Sequence, residues 1–119
     1  MGHLVERVKL SWEKSITVDM LVDTGATYSM IPEALARKVG VVRAPRGAKL
    51  RVSLADGRRK SYEAGAAIFT VSGREGPSMV VIGDVAEPIL GVETLEVLGL
   101  AVDPRGQRLI PTRSYAARA

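Results

Sequence analysis

The stretch that most constrains this chain is Met20-Leu21-Val22-Asp23-Thr24-Gly25-Ala26. An apolar run climbs to a single acid, which is followed at once by a hydroxyl residue and a glycine. Ile16, Val18, Met20 and Val22 alternate with polar positions, the pattern of a half-buried strand. Such a strand delivers the Asp23 carboxylate to the edge of a sheet. Gly25 permits a tight turn there, and the Thr24 hydroxyl can hold the loop. Any fold for this chain has to explain an acid in that position.

Around this strand the pattern is mostly β. Val8, Leu10 and Trp12 alternate, and Glu13-Lys14-Ser15 suits a hairpin turn into the next strand. Pro32 to Gly40 reads as a short helix, with proline in its first turn, Glu33 near its start, Arg37 and Lys38 near its end, and Gly40 as the stop. Val41 to Ala48 reads as a loop. Leu50, Val52 and Leu54 alternate into the turn signal Ala55-Asp56-Gly57-Arg58, and Lys60 to Glu63 returns, which predicts a hairpin with basic arms. Ile68 to Val71 reads as a strand, Ser72 to Pro77 as a turn and Met79 to Ile82 as a buried strand. Ile89-Leu90-Gly91 then leads into a helix over Glu93 to Leu98, stopped by Gly99. Val102 and Arg108-Leu109-Ile110 supply late strand material. One domain of 119 residues is expected, with its core over about 8–111 and a loose tail from 112 to 119.

Composition excludes much of the usual chemistry. Without cysteine there are no disulfides, thiolate metal sites or cysteine nucleophiles, and the single histidine, His3, sits at the terminus. A serine–histidine triad and a histidine metal site lose their key member, and no glycine-rich phosphate loop is present. No metal and no cofactor are therefore expected. The net charge of +4 is spread over Arg43, Arg46, Lys49, Arg51, Arg58, Arg59 and Lys60, a solvated surface rather than a nucleic-acid footprint. No apolar run reaches membrane-spanning length and no secretory leader is visible, so a soluble cytoplasmic protein without membrane contact is expected. Carboxylates remain as the reactive groups. Asp56, Asp84 and Asp103 sit beside turn residues, which leaves Asp23 as the best placed.

Leu21-Val22-Asp23-Thr24-Gly25-Ala26 together with the distant Ile89-Leu90-Gly91 resembles the retroviral-type (retropepsin-like) aspartic proteases, over roughly Trp12 to Leu100. The resemblance implies a closed, barrel-like β lobe with short helices, and a homodimer in which two lobes build one site. It implies a catalytic role for Asp23, bracing of the paired loops by Thr24, and close approach to substrate at Gly25 and Ala26. The hairpin tip over Ser53 to Arg58, with Ala55, Asp56 and Gly57, would be a flap over a polypeptide substrate. Ile89 would line a substrate pocket, Leu90 would lie beneath it, and Gly91 would pack the second helix on the loop. Thr27 and Tyr28 stand where viral enzymes carry acidic substrate-binding residues, and Val92 stands where they carry an arginine. Both members of that ion pair are absent together, so neither charge is stranded. Arg108 to Pro111 is the candidate interface strand. The expected function is peptide-bond hydrolysis by an aspartate dyad. The alternatives are a catalytically inactive peptide-binding or assembly domain of the same fold and, on charge alone, a nucleic-acid-binding β module.

Overall fold

In a computed structural model of the chain, the structure describes residues 4–45, 48–54, 56–105 and 107–112. Ten strands and two short helices follow one another: β1 (Val5–Ser11), β2 (Ser15–Val22), β3 (Ser29–Pro32), α1 (Glu33–Val39), β4 (Val42–Arg43), β5 (Lys49–Ser53), β6 (Arg59–Val71), β7 (Arg74–Gly83), β8 (Ile89–Leu90), α2 (Val92–Leu98), β9 (Leu100–Asp103) and β10 (Arg108–Pro111).

The alternation that marks β1 and β2 in the sequence becomes an antiparallel hairpin in register from Val5 opposite Leu21 to Ser11 opposite Ser15. Six strands then run in the order β1-β2-β8-β3-β7-β6, and β6 returns to β1 through Lys9 opposite Thr70 and Ser11 opposite Ile68. The sheet is thereby closed into a barrel, which removes the free edges an open sheet would expose. Inside lie Val8, Leu10, Met20, Ile31, Phe69, Val71, Val80 and Leu90, all at most 1% exposed. Leu35, Ala36 and Val39 of α1 and Leu95 and Leu98 of α2 extend the same core. Burial of this apolar surface is the main favourable contribution to the fold.

Both helices stop where a glycine follows. Gly40 takes a left-handed conformation at φ 71° and returns its N–H to the Ala36 carbonyl, while Gly99 donates to Glu96 and Leu95. The Arg74 guanidinium also bonds the Leu98 and Gly99 carbonyls at 3.0 and 3.3 Å, a cation at the carbonyl end of α2.

Four local expectations change. Pro32 closes β3 with an extended backbone and precedes α1 rather than entering it. The stretch over 41–48 contains β4, whose Val42 and Arg43 pair with Ala66 and Gly65. Lys60–Glu63 and Ile68–Val71 are two ends of the single 13-residue strand β6. The turn after Val71 is confined to Ser72 and Gly73, and β7 already includes Gly76 and Pro77. At Pro77 only β6 flanks β7, because β3 joins the other side from Val80 onward, so a residue without an N–H is tolerated. Thr112 donates its N–H to the Gly99 carbonyl at 2.8 Å; residues 113–119 lie outside the described residues.

Candidate active site

β2 and β3 flank the loop over 23–28 but do not pair with each other. The two-residue strand β8 lies between them, parallel to β2 through Leu21–Ile89 and Val22–Leu90, and antiparallel to β3 through Met30–Ile89. A segment distant in sequence thus sets the position of the Asp23 loop. The Asp23 N–H donates to the Leu90 carbonyl at 3.0 Å, and its own carbonyl accepts from Ala26 at 3.1 Å. The Gly25 N–H donates to the Asp23 Oδ1 at 2.9 Å, which aims the half-buried carboxylate.

Behind the loop stands the start of α2. A helix begins with N–H groups that lack partners inside it. Here Gly91 offers no side-chain cap, and the loop serves instead: the Val92 and Glu93 N–H groups donate to the Ala26 and Thr27 carbonyls, each at 2.9 Å. This close docking needs glycine at position 91. A Cβ there would fall 2.5 Å from the Tyr28 carbonyl carbon and 2.8 Å from the Ser29 nitrogen, closer than real contacts come.

Three hydroxyls lock the joint. The Gly91 N–H donates to Ser29 Oγ at 3.0 Å, Ser29 Oγ lies 2.6 Å from Thr94 Oγ1, and Thr94 Oγ1 lies 2.8 Å from Ser78 Oγ. Ser29 and Thr94 are fully buried, and among the described residues no buried side-chain polar atom lacks a partner. Backbone bonds and this chain of hydroxyls tie the loop to α2 without the ion pair that Thr27 and Val92 cannot form.

In front of the loop is a cavity of about 590 Å³. Its floor includes Asp23, Gly25, Ala26, Thr27 and Tyr28, with Met30, Val81 and Ile89 beside them. Its far wall is the arm of the β5–β6 hairpin: Arg51, Val52, Ser53 and Leu54. Among the described residues Asp23 is its one acid and Arg51 its one cation.

Of the residues singled out from the sequence, Asp23, Gly25, Ala26, Thr27, Tyr28 and Ile89 line this cavity, and Leu90 is buried below it. Thr24 is exposed and lines a different cavity of about 460 Å³, with Val92, Leu95 and Glu96 of α2 and Leu100, Ala101 and Val102 of β9. Asp56 and Gly57 lie at the hairpin turn and do not reach the cavity wall. Asp56 is held by Arg58, whose Nε is 2.6 Å from its Oδ2, and the Gly57 N–H donates to the Leu54 carbonyl. Ala55 lies outside the described residues. Ser53 and Leu54 of the expected flap border the cavity, and Arg51 and Val52 of the same arm join them without having been expected there. Val52 and Leu54 show in the alternation of β5, but alternation does not say which cavity a strand borders.

The chain matches the family model described as "gag-polyprotein putative aspartyl protease" over residues 8–97. It belongs to this family of retropepsin-like aspartic proteases. The matched span contains the barrel strands, the Asp23 loop, the hairpin and nearly all of α2, so the family membership and the closed β lobe agree. Comparison with curated proteins gives no match. No group of three or more His, Cys, Asp or Glu side chains that could hold a metal occurs among the described residues. No helix among them is long and apolar enough to cross a membrane.

Proposed function

We propose that this chain is an aspartic endopeptidase that works as a homodimer, with Asp23 of each protomer forming a catalytic pair across a two-fold axis. The observation that carries the reading is the Asp23 loop. Its carboxylate is aimed by the Gly25 N–H into a cavity that holds no other acid among the described residues, in a chain of the aspartyl protease family. A single carboxylate lacks a partner for acid–base work, and each chain supplies one. An isologous pairing is the common way to provide the second. Thr24, exposed on the other side of the loop, and β10, whose outer edge has no strand partner among the described residues, support a contact surface running beside the site.

The chemistry follows from proximity. Two carboxylates held together cannot both ionise cheaply, so the pair shares a proton and titrates as a unit. The ionised member takes a proton from a water held between the two. The protonated member polarises the scissile carbonyl and later supplies the proton that lets the amine leave. The β5–β6 hairpin arm across the cavity gives an extended peptide a wall to lie against, and Ile89 and Val81 supply apolar contact for its side chains.

Asp23→Asn tests the reading. Cleavage of an unfolded polypeptide should disappear while the far-UV spectrum and the solution mass stay those of the wild type. Retained cleavage, or cleavage by a species shown to be strictly monomeric, would refute it.

A further inference from the structure

The wall of the cleft holds a cation that makes no ion pair with the other described residues. Along β5 the exposed positions are Lys49, Arg51 and Ser53, which alternation puts on one face. Opposite Lys49 in the register is Glu63, whereas opposite Arg51 is Ser61, which carries no charge. The acids within reach of the hairpin are committed elsewhere. Glu63 is bound by Arg43 at 2.6 Å, Asp56 by Arg58 at 2.6 Å, and Asp84 by Lys60 at 2.9 Å. Among the described residues Arg51 has no ion pair, and it borders the same cavity as Asp23, whose other described walls carry no charge.

We infer that Arg51 is a specificity-determining residue, and that the preferred substrate is a polypeptide with an Asp or Glu side chain within about three residues of the bond that is cut. This rests on the reading of the chain as a peptidase. A planar guanidinium binds a carboxylate through two parallel hydrogen bonds, which an amide side chain cannot reproduce. The cavity volume sets the range. A space of 590 Å³ is about 10 Å across, or roughly three residues of extended chain, so a side chain meeting Arg51 is near the scissile bond. In a two-fold dimer the second Arg51 addresses the other half of the peptide, so acidic residues are favoured on both sides. Met30, Val81 and Ile89 supply apolar contacts for neighbouring side chains of the peptide.

The test begins with casein, an acidic unfolded polypeptide, cleaved by the full chain, with the cut sites mapped by mass spectrometry. Peptides spanning those sites are then compared with twins in which Glu is replaced by Gln. The wild type should favour the Glu peptide in kcat/KM by about tenfold, mostly through KM, with the preference shrinking as salt rises. Arg51→Gln should abolish the ratio, Arg51→Lys should keep part of it, and Arg51→Glu should reverse it toward a Lys peptide. Equal cleavage of the Glu and Gln twins by the wild type, or an unchanged ratio in Arg51→Gln, overturns the inference while leaving the peptidase reading intact. A second arm needs no catalysis: Asp23→Asn protein is titrated with a fluorescein-labelled peptide of Leu and Val flanked by Glu, and with its Gln twin. If nothing is cleaved by the wild type, selective binding of the Glu peptide that is lost on Arg51→Gln sustains the site and rejects the peptidase reading. Absence of selective binding then rejects both.

Discussion

Replacing Ser29 by alanine isolates the joint between the Asp23 loop and α2. Ser29 Oγ has two partners, the Gly91 N–H at 3.0 Å and Thr94 Oγ1 at 2.6 Å, and its side chain is fully buried. The two losses are unequal. Thr94 keeps Ser78 at 2.8 Å, so its hydroxyl stays satisfied and that change costs about 0.5–1 kcal/mol. The Gly91 N–H has no other acceptor, and a stranded buried donor costs about 1–3 kcal/mol. The expected total is about 1.5–4 kcal/mol. Ser78→Ala is the control: Thr94 retains Ser29, only a long 3.4 Å bond to the Met79 carbonyl goes with the hydroxyl, no backbone N–H is stranded, and the cost should be about 1 kcal/mol. Urea unfolding followed by far-UV circular dichroism reads the difference. With a slope of about 1–3 kcal/mol per molar for a small domain, the Ser29→Ala midpoint falls by about 1–2 M, and the control by about half as much. All proteins are compared at one concentration, because self-association adds to apparent stability. Equal midpoints for the two variants, or a loss below about 0.5 kcal/mol for Ser29→Ala, would refute the claim that the stranded Gly91 donor governs the joint.

Three further outcomes follow from the same structure. Gly91→Ala drives a methyl into the Tyr28 backbone, so the loop must shift; about 1–3 kcal/mol of stability is lost, and peptide cleavage falls by at least tenfold, measured by urea unfolding and initial rates. The Arg43 hydrogen bond holds the Glu33 carboxyl below its ordinary 4.5, so the stabilisation it gives is present above about pH 4.5 and is lost as pH falls through the lowered folded value. Glu33 is 46% exposed and solvent screens the pair, so Arg43→Gln should remove less than about 1 kcal/mol at pH 7 and should flatten the acid limb of a plot of melting temperature against pH. For the proposed homodimer, Thr24→Val, which removes the hydroxyl of an exposed loop residue, should raise the dissociation constant in sedimentation while leaving the monomer's circular dichroism spectrum as it was.

Much of the barrel is written in short-range pattern. Over Val8–Leu10 and Ile16–Met20, β1 and β2 alternate because one face of each is buried, and Gly40 and Gly99 mark the helix ends because few residues adopt the backbone found there. β6 was less legible. Its middle, Ala64-Gly65-Ala66-Ala67, has no large side chains to alternate, so one strand reads as two. Pro77 suggests a turn by local preference, and only the late arrival of β3 beside β7 explains why it sits in a strand. β4 is two residues long and shows no period at all. For the candidate site, the Asp23 loop could be read because an acid at the end of an apolar strand is a local event. The Arg51–Val52 part of the cavity wall could not, since the approach of Arg51 to Gly25 and Ile89 depends on how the β5–β6 hairpin folds over the barrel. The Ser29–Thr94–Ser78 chain was equally hidden: single hydroxyls carry no periodic signal, and the partners are 65 and 16 residues apart.

The insertion of β8 between β2 and β3 has a consequence for synthesis. The carbonyl that receives the Asp23 N–H and the glycine that docks on Tyr28 both come from the last third of the chain, and the Gly91–Ser29 bond spans 62 positions. While a ribosome is extending the earlier part, the β1–β2 hairpin can form, yet β3 still lacks its partners β7 and β8 and the acid between β2 and β3 has no fixed geometry. Long-range closure of this kind is slow relative to local hairpins. The growing polypeptide therefore contains Asp23 well before the residues that hold it in place, and the geometry of its loop is set only once β8 and the start of α2 have been made.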